Sequence, residues 1–194
     1  MNIGFDIDDT ITNSSDIFVK YAAEYNHIKN IIYPINTNEL DQKLAFGWND
    51  ENMIEFRKVY LKKILTETKP NKDVVNVINY LKKEGNKIFL ITARSDYEIP
   101  DMYKLTKEWL LMHNISYDEL FVNCKDKLSV CKENKIDIFI DDNITTCNNV
   151  YGNSKTNVLI YTTRYNKNID TDLTRVINWQ EILAYIVKLQ KEKV

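Results

Sequence analysis

Three short stretches of this chain put reactive side chains directly behind apolar runs. One ends Asp6-Ile7-Asp8-Asp9-Thr10, one Phe139-Ile140-Asp141-Asp142-Asn143, and one Ile91-Thr92-Ala93-Arg94. A lone Asp-x-Asp serves equally well as helix caps or turn residues. Two acid clusters, each immediately after an apolar run, are much harder to read that way. If the runs are neighbouring strands, four or five carboxylates converge with one hydroxyl. Carboxylates that close repel unless a cation neutralises them. An oxygen-only donor set selects a hard ion, with Mg²⁺ as the default. Asn143 also suits the cap of the following helix.

The elements that must carry these residues follow from periodicity. Asn2–Ile7, Lys87–Thr92, Leu120–Asn123, Ile136–Asp141 and Asn157–Tyr161 are short apolar runs that predict buried strands. Helices are predicted over Asn71–Glu84, Asp101–His113, Asp126–Asn134, Asn143–Tyr151 and Trp179–Lys191. Strands alternating with helices imply an α/β fold with a parallel sheet covered on both faces. Chemistry in such sheets gathers at the carboxyl ends of the strands, where the acids lie. The alternation breaks after the first strand. Asp16–Lys29, Asn38–Phe46 and Asp50–Thr68 all read as helices, the second closed by Gly47 and the third capped by Asp50. That stretch is too long for a crossover and carries its own apolar faces. Residues 14–69 are therefore expected to be a small helical cap, with residues 1–13 and 70–194 as the catalytic core.

Composition narrows the class further. The chain has 194 residues, 44% hydrophobic and 28% charged, an ordinary globular mix. Twenty-six basic residues against 28 acidic leave a net charge of −2, without the basic excess that holds a nucleic acid polymer. No run approaches the roughly 20 apolar residues of a membrane span, and the first residues do not read as a signal peptide. Cys124, Cys131 and Cys147 form no C-x-x-C pair and read as reduced thiols, neither a zinc site nor a disulfide frame. A cytoplasmic protein is expected, and monomer and homodimer are both compatible with the sequence.

The acid motifs carry a resemblance. D-I-D-D-T at Asp6–Thr10 resembles the D-x-D-x-T signature of the haloacid dehalogenase (HAD)-like phosphohydrolases. Thr92 after KIFLI matches that superfamily's second motif, Lys127 its third and Asp141-Asp142 its fourth, in order along the chain. The stretch from ITAR at Ile91 to IDIFIDD at Asp142 is similar to the deoxyribonucleotidase, or cytosolic 5′-nucleotidase type C, branch. So is the tail with Tyr165-Asn166, Arg175-Val176 and Trp179-Gln180-Glu181-Ile182.

The resemblance implies a doubly wound Rossmann-like sheet of strand order 3-2-1-4-5 with an inserted cap, and a Mg²⁺-dependent phosphomonoesterase. It assigns Asp6 as a nucleophile forming an aspartyl-phosphate. Asp8 would bind metal through its backbone carbonyl and act as general acid and base through its side chain. Superfamily members that break carbon–halogen bonds lack an acid there, which favours phosphoryl chemistry. Thr92 and Lys127 would hold the phosphoryl group, although Lys125 is close enough to substitute. Asp142 would ligate the metal with Asp6, and Asp141 would orient Lys127, with exchange of those two roles left open. Ala93 and Arg94, beside the second motif, and the aromatics Phe18 and Trp48 of the cap would bind substrate. The same two aromatics serve equally as cap core. His27 and His113 lie far from the motifs and are not assigned roles.

The substrate expected is a small phosphomonoester, foremost a nucleoside 5′-monophosphate. A sugar phosphate or similar metabolite is the alternative with the same chemistry. A receiver-like module phosphorylated on Asp shares the residue types. In that family, however, the acid pair ends the first strand and the phosphorylated Asp an internal one, the reverse of the order here.

Overall fold

The computed structural model describes residues 1–192. Six strands form one parallel sheet: β1 (Asn2–Phe5), β2 (Lys87–Ile91), β3 (Glu119–Phe121), β4 (Ile138–Asp141), β5 (Asn157–Tyr161) and β6 (Thr174–Val176). Their order is β3-β2-β1-β4-β5-β6. The expected order therefore holds, extended at one edge by β6. That strand has three residues, Thr-Arg-Val, too few to show an alternation.

Successive side chains of a strand point to opposite faces, so a strand buried on both faces is apolar throughout. Ile88 and Leu90 of β2 join Ile3, Phe5, Ile138 and Ile140 in a cluster with helices α4 (Val74–Lys83), α5 (Met102–Met112) and α8 (Trp179–Glu192). Phe89 and Ile91 turn the other way, with Phe139, Val158 and Ile160, against α6 (Lys127–Glu133) and α7 (Ile144–Asn153). Trp179, fully buried, stacks at a tilt on Phe5 with centroids 5.0 Å apart. No helix among the described residues is long and apolar enough to cross a membrane.

Between β1 and α4 lie α1 (Ser14–Lys29), α2 (Gln42–Phe46) and α3 (Asp50–Glu67). Helix α2 is shorter than its apolar pattern suggests. Asp41 ends the preceding turns and caps it by accepting from the amides of Lys43 and Leu44. Gly47 closes it at φ 71°, where a Cβ would stand 2.4 Å from the Tyr33 ring, so only glycine fits. The cap of α3 is Asn49, not Asp50, in a reciprocal box with Asn52. Phe18, Tyr25, Phe46, Trp48, Phe56 and Tyr60 pack together in a separate aromatic cluster. Leu61 and Leu65 of α3 reach instead to Met102 at the start of α5.

Candidate active site

Asp6, Asp8, Thr92, Asp141 and Asp142 all arrive at the carboxyl end of the sheet because β2 and β4 run parallel to β1 on either side of it. The ladder between β1 and β4 runs one residue beyond β1: the Asp6 amide donates to the Ile140 carbonyl at 2.9 Å. Asp6 thus lies beside Asp141. Helix α6 begins at Lys127, behind the cap Asp126, which accepts from the Ser129 amide at 3.1 Å. This start directs the Lys127 ammonium inward, where it bridges Asp6 Oδ1 and, at 2.8 Å, Asp141 Oδ2. All three side chains are buried. Lys125 is exposed, so the structure brings Lys127 to the acids and leaves its near neighbour outside.

Asp6, Asp141 and Asp142 each offer a carboxylate oxygen, all within 4.8 Å of one another. Asp142 accepts from the Thr10 hydroxyl at 3.2 Å and from the Tyr165 phenol. Asp141 spends its other oxygen on the Asn143 amide at 2.8 Å, while Asn143 caps α7. Two unit charges at that spacing repel by roughly 3–4 kcal/mol at an effective dielectric near 20. Burial, with the charges of Asp141 and Asp8, outweighs Lys127 and pushes Asp6 up to about 8. Burial and the neighbouring Asp141, Asp6 and Asp9 likewise raise Asp142 well above the usual carboxylate range. Burial opposes the charge of Lys127, yet its two acid partners hold its pKa above the ordinary lysine value. Three buried carboxylates against one ammonium leave an excess of negative charge that a divalent cation would balance, and oxygen donors alone suit a hard ion.

Thr92 is buried at the end of β2. Its hydroxyl accepts from the Arg94 amide at 3.2 Å, leaving its own proton to donate. Arg94 is buried too. Its Nε and Nη2 make a bidentate pair with the two carboxylate oxygens of Asp8, 2.8 Å each. Burial tends to raise Asp8, but the guanidinium holds its carboxyl below the usual range. Arg94 was expected to face substrate, and in the structure its fork is turned to Asp8.

A cavity of about 310 Å³ opens between the core and α1–α3. Asp8, Asp9, Ala93 and Arg94 line its floor, and Phe18 and Phe46 belong to its apolar wall. Trp48 does not line it. The indole is 5% exposed, packs with its ring centroid 4.5 Å from that of Phe56 and 4.8 Å from that of Phe46, and donates to Asn26 Oδ1. Of the two aromatics expected in a substrate slot, the structure puts only Phe18 at the cavity; Trp48 fills the helices' own core because its ring is surrounded by other rings on that side.

The sequence pattern gives Tyr165 no role, yet its phenol reaches both Asp142 and Asp9. It sits in a polar loop, and the only signal was its place in the family-like tail.

The sequence matches the family described as 5′ nucleotidase, deoxy (pyrimidine), cytosolic type C protein over residues 1–192. A nucleotidase of Clostridium acetobutylicum is 30% identical over 205 residues, covering 97% of this chain and 95% of that one. Among solved structures, a haloacid dehalogenase-like hydrolase of Streptococcus pneumoniae superposes with a TM-score of 0.68 at 16% identity, over 95% of this chain and 97% of that one. A HAD-superfamily hydrolase of Geobacter sulfurreducens gives 0.62 at 10% identity, over 95% of each chain.

Proposed function

The chain belongs to the cytosolic type C 5′-nucleotidase family and is a phosphoric monoester hydrolase, and we propose that it hydrolyses nucleoside 5′-monophosphates through a phosphorylated Asp6. The observation that carries this reading is the buried Lys127 bridge between Asp6 and Asp141, beside Asp142, with Asp6 two residues from Asp8, which lines the floor of the cavity. Mg²⁺ is the cation that fits the acid cluster; Asp6, Asp142 and the carbonyl of Asp8 would hold it, with Asp141 as the partner of Lys127. When bound, it neutralises the acids so that a phosphate dianion can enter.

Phosphate monoesters are among the slowest biological bonds to hydrolyse, so the protein must lower the barrier by upwards of ~20 kcal/mol. Thr92 donates its hydroxyl proton, and Lys127 its charge, to phosphoryl oxygens. An Asp6 oxygen forms a bond to phosphorus as the bond from phosphorus to the 5′ oxygen breaks. Asp8 gives a proton to the departing alkoxide, then takes one from the water that hydrolyses phospho-Asp6 and releases inorganic phosphate. Arg94 holds the Asp8 carboxyl below the usual carboxylate range. The incoming phosphate opposes the Asp8 charge and competes for Arg94, so Asp8 takes up its proton together with substrate. Residues 14–69 act as a cap that excludes water from the intermediate, and Phe18 contributes to the wall against which the nucleoside lies.

The test is phosphate release from deoxy- and ribonucleoside 5′-monophosphates and from sugar phosphates, with Mg²⁺ and with chelator. The expected result is at least a tenfold preference in kcat/KM for a nucleotide and loss of turnover on chelation. Equal or better turnover of sugar phosphates would replace the substrate assignment, and turnover resistant to chelation would remove the metal.

A further inference from the structure

The loop after β5 presents a tyrosine whose geometry the chemistry above does not use. The Tyr165 phenol oxygen meets two carboxylates at once, Asp142 Oδ2 and, at 3.1 Å, Asp9 Oδ2. A phenol has one hydrogen and can donate to one of them at a time. Both acids are gripped from the other side as well. Asp142 Oδ1 takes the Thr10 hydroxyl, and Asp9 Oδ1 takes the Ser14 hydroxyl at 3.1 Å and the Ser15 amide at 2.7 Å. The loop itself is pinned. Asn166 donates from Nδ2 to the carbonyls of Asp142 and Tyr161, 2.8 Å each, and its Oδ1 accepts from the Thr163 amide at 2.9 Å. Arg175 donates to the Asn166 carbonyl at 3.0 Å. The phenol is therefore a fixed post and not a swinging arm.

We propose that Tyr165 is the positioning residue of Asp142: it fixes the plane in which that carboxylate presents an oxygen to the cation, and ties it to Asp9, which in turn holds the first residues of α1. The proposal rests on the reading that Asp142 ligates Mg²⁺. The torsion that turns a carboxylate on its Cβ is soft, so nothing intrinsic to Asp142 sets this plane. Partners that orient a metal ligand are typically worth 10–100-fold in metal affinity.

The experiment is calorimetric titration of Mg²⁺ into the substrate-free wild type, Tyr165→Phe and Asp142→Asn, with circular dichroism to confirm the folds. Tyr165→Phe removes one oxygen and should raise the Mg²⁺ Kd by tenfold or more. In turnover, half-saturating Mg²⁺ should rise by the same factor, while the rate at saturating Mg²⁺ stays within about threefold of wild type. A Tyr165→Phe protein that binds Mg²⁺ with the wild-type Kd overturns the proposal, whatever its melting temperature. If Asp142→Asn binds as tightly as wild type, or wild type does not bind, the metal reading itself fails, a result distinct from the first.

Discussion

Replacing Trp48 by alanine separates a structural indole from a substrate-binding one. The ring is 5% exposed, its centroid lies 4.5 Å from Phe56 and 4.8 Å from Phe46, and Tyr25 meets it edge-on at 5.4 Å. Truncating a buried Trp to Ala costs about 3–5 kcal/mol through lost transfer energy and the cavity left behind. The indole also donates to Asn26 Oδ1, itself buried, and an orphaned buried acceptor adds about 1–3 kcal/mol. These losses share atoms and do not fully add, so the expected destabilisation is about 4–6 kcal/mol. At roughly 2–4 °C per kcal/mol for a chain of this size, Tm should fall by about 8–24 °C. Melting curves should be paired with kcat/KM for a nucleoside 5′-monophosphate and a small aryl phosphate, measured well below the lowered Tm. Both substrates should lose activity together, within about threefold of each other. A Tm unchanged within about 2 °C, with a tenfold or greater loss confined to the nucleotide, would put the indole against substrate and refute the packing argument.

Asp6→Asn should fold and lose at least about 10³-fold in turnover, since an amide cannot act as this nucleophile; a tenth of the wild-type rate with Mg²⁺ present would end the covalent mechanism. Asp8→Asn should cost about 10²–10⁴-fold with an alkyl phosphate and less than about tenfold with an activated aryl phosphate. Burst kinetics isolates the first step, and equal losses would remove the general acid. Asp6 is raised from 3.8 to about 8, so its contribution to folding is full below 3.8 and lost as pH climbs through 8. Melting in chelator should therefore drop from pH 5 to pH 8, the rise in Tm on adding Mg²⁺ should be larger at pH 8 than at pH 6, and Asp6→Asn should flatten the slope. A Mg²⁺ effect independent of pH would contradict this charge balance.

The acid cluster was legible because its position is coupled to a pattern. Apolar strands in a parallel sheet carry their terminal residues to its carboxyl end, so Asp6, Thr92 and Asp141 converge wherever those runs become neighbours. Lys127 was legible through its motif, and the helix start supplies the reason it points inward. Side chains whose chemistry permits two environments were not legible. A tryptophan between two helices suits a slot or a core, and only the surrounding rings decide for Trp48. Arg94 follows the second motif, and nothing in its spacing says that its fork closes on Asp8, 86 positions away. Tyr165 touches the acids only because the loop after β5 folds back over β4, a contact without a local periodicity. The three-residue β6 escaped for want of length.

Thr12 and Pro70 form an antiparallel bridge. Around it the Asn71 amide donates to the Ile11 carbonyl at 2.7 Å, and its side chain to the carbonyls of Thr10 and Thr12, 3.0 Å each. The chain thus leaves the sheet for α1–α3 and returns at a single stitched point. Because both ends of the excursion are fastened to each other, its connecting loops can lengthen or shorten without pulling on the sheet. Doubling a flexible loop costs only about 0.6 kcal/mol in closure entropy. The stitch lies within a few residues of Asp8, so the fastening that lets the inserted helices vary also clamps the backbone bearing the acids. What lies above the stitch can therefore change in length while the strands below it keep their register.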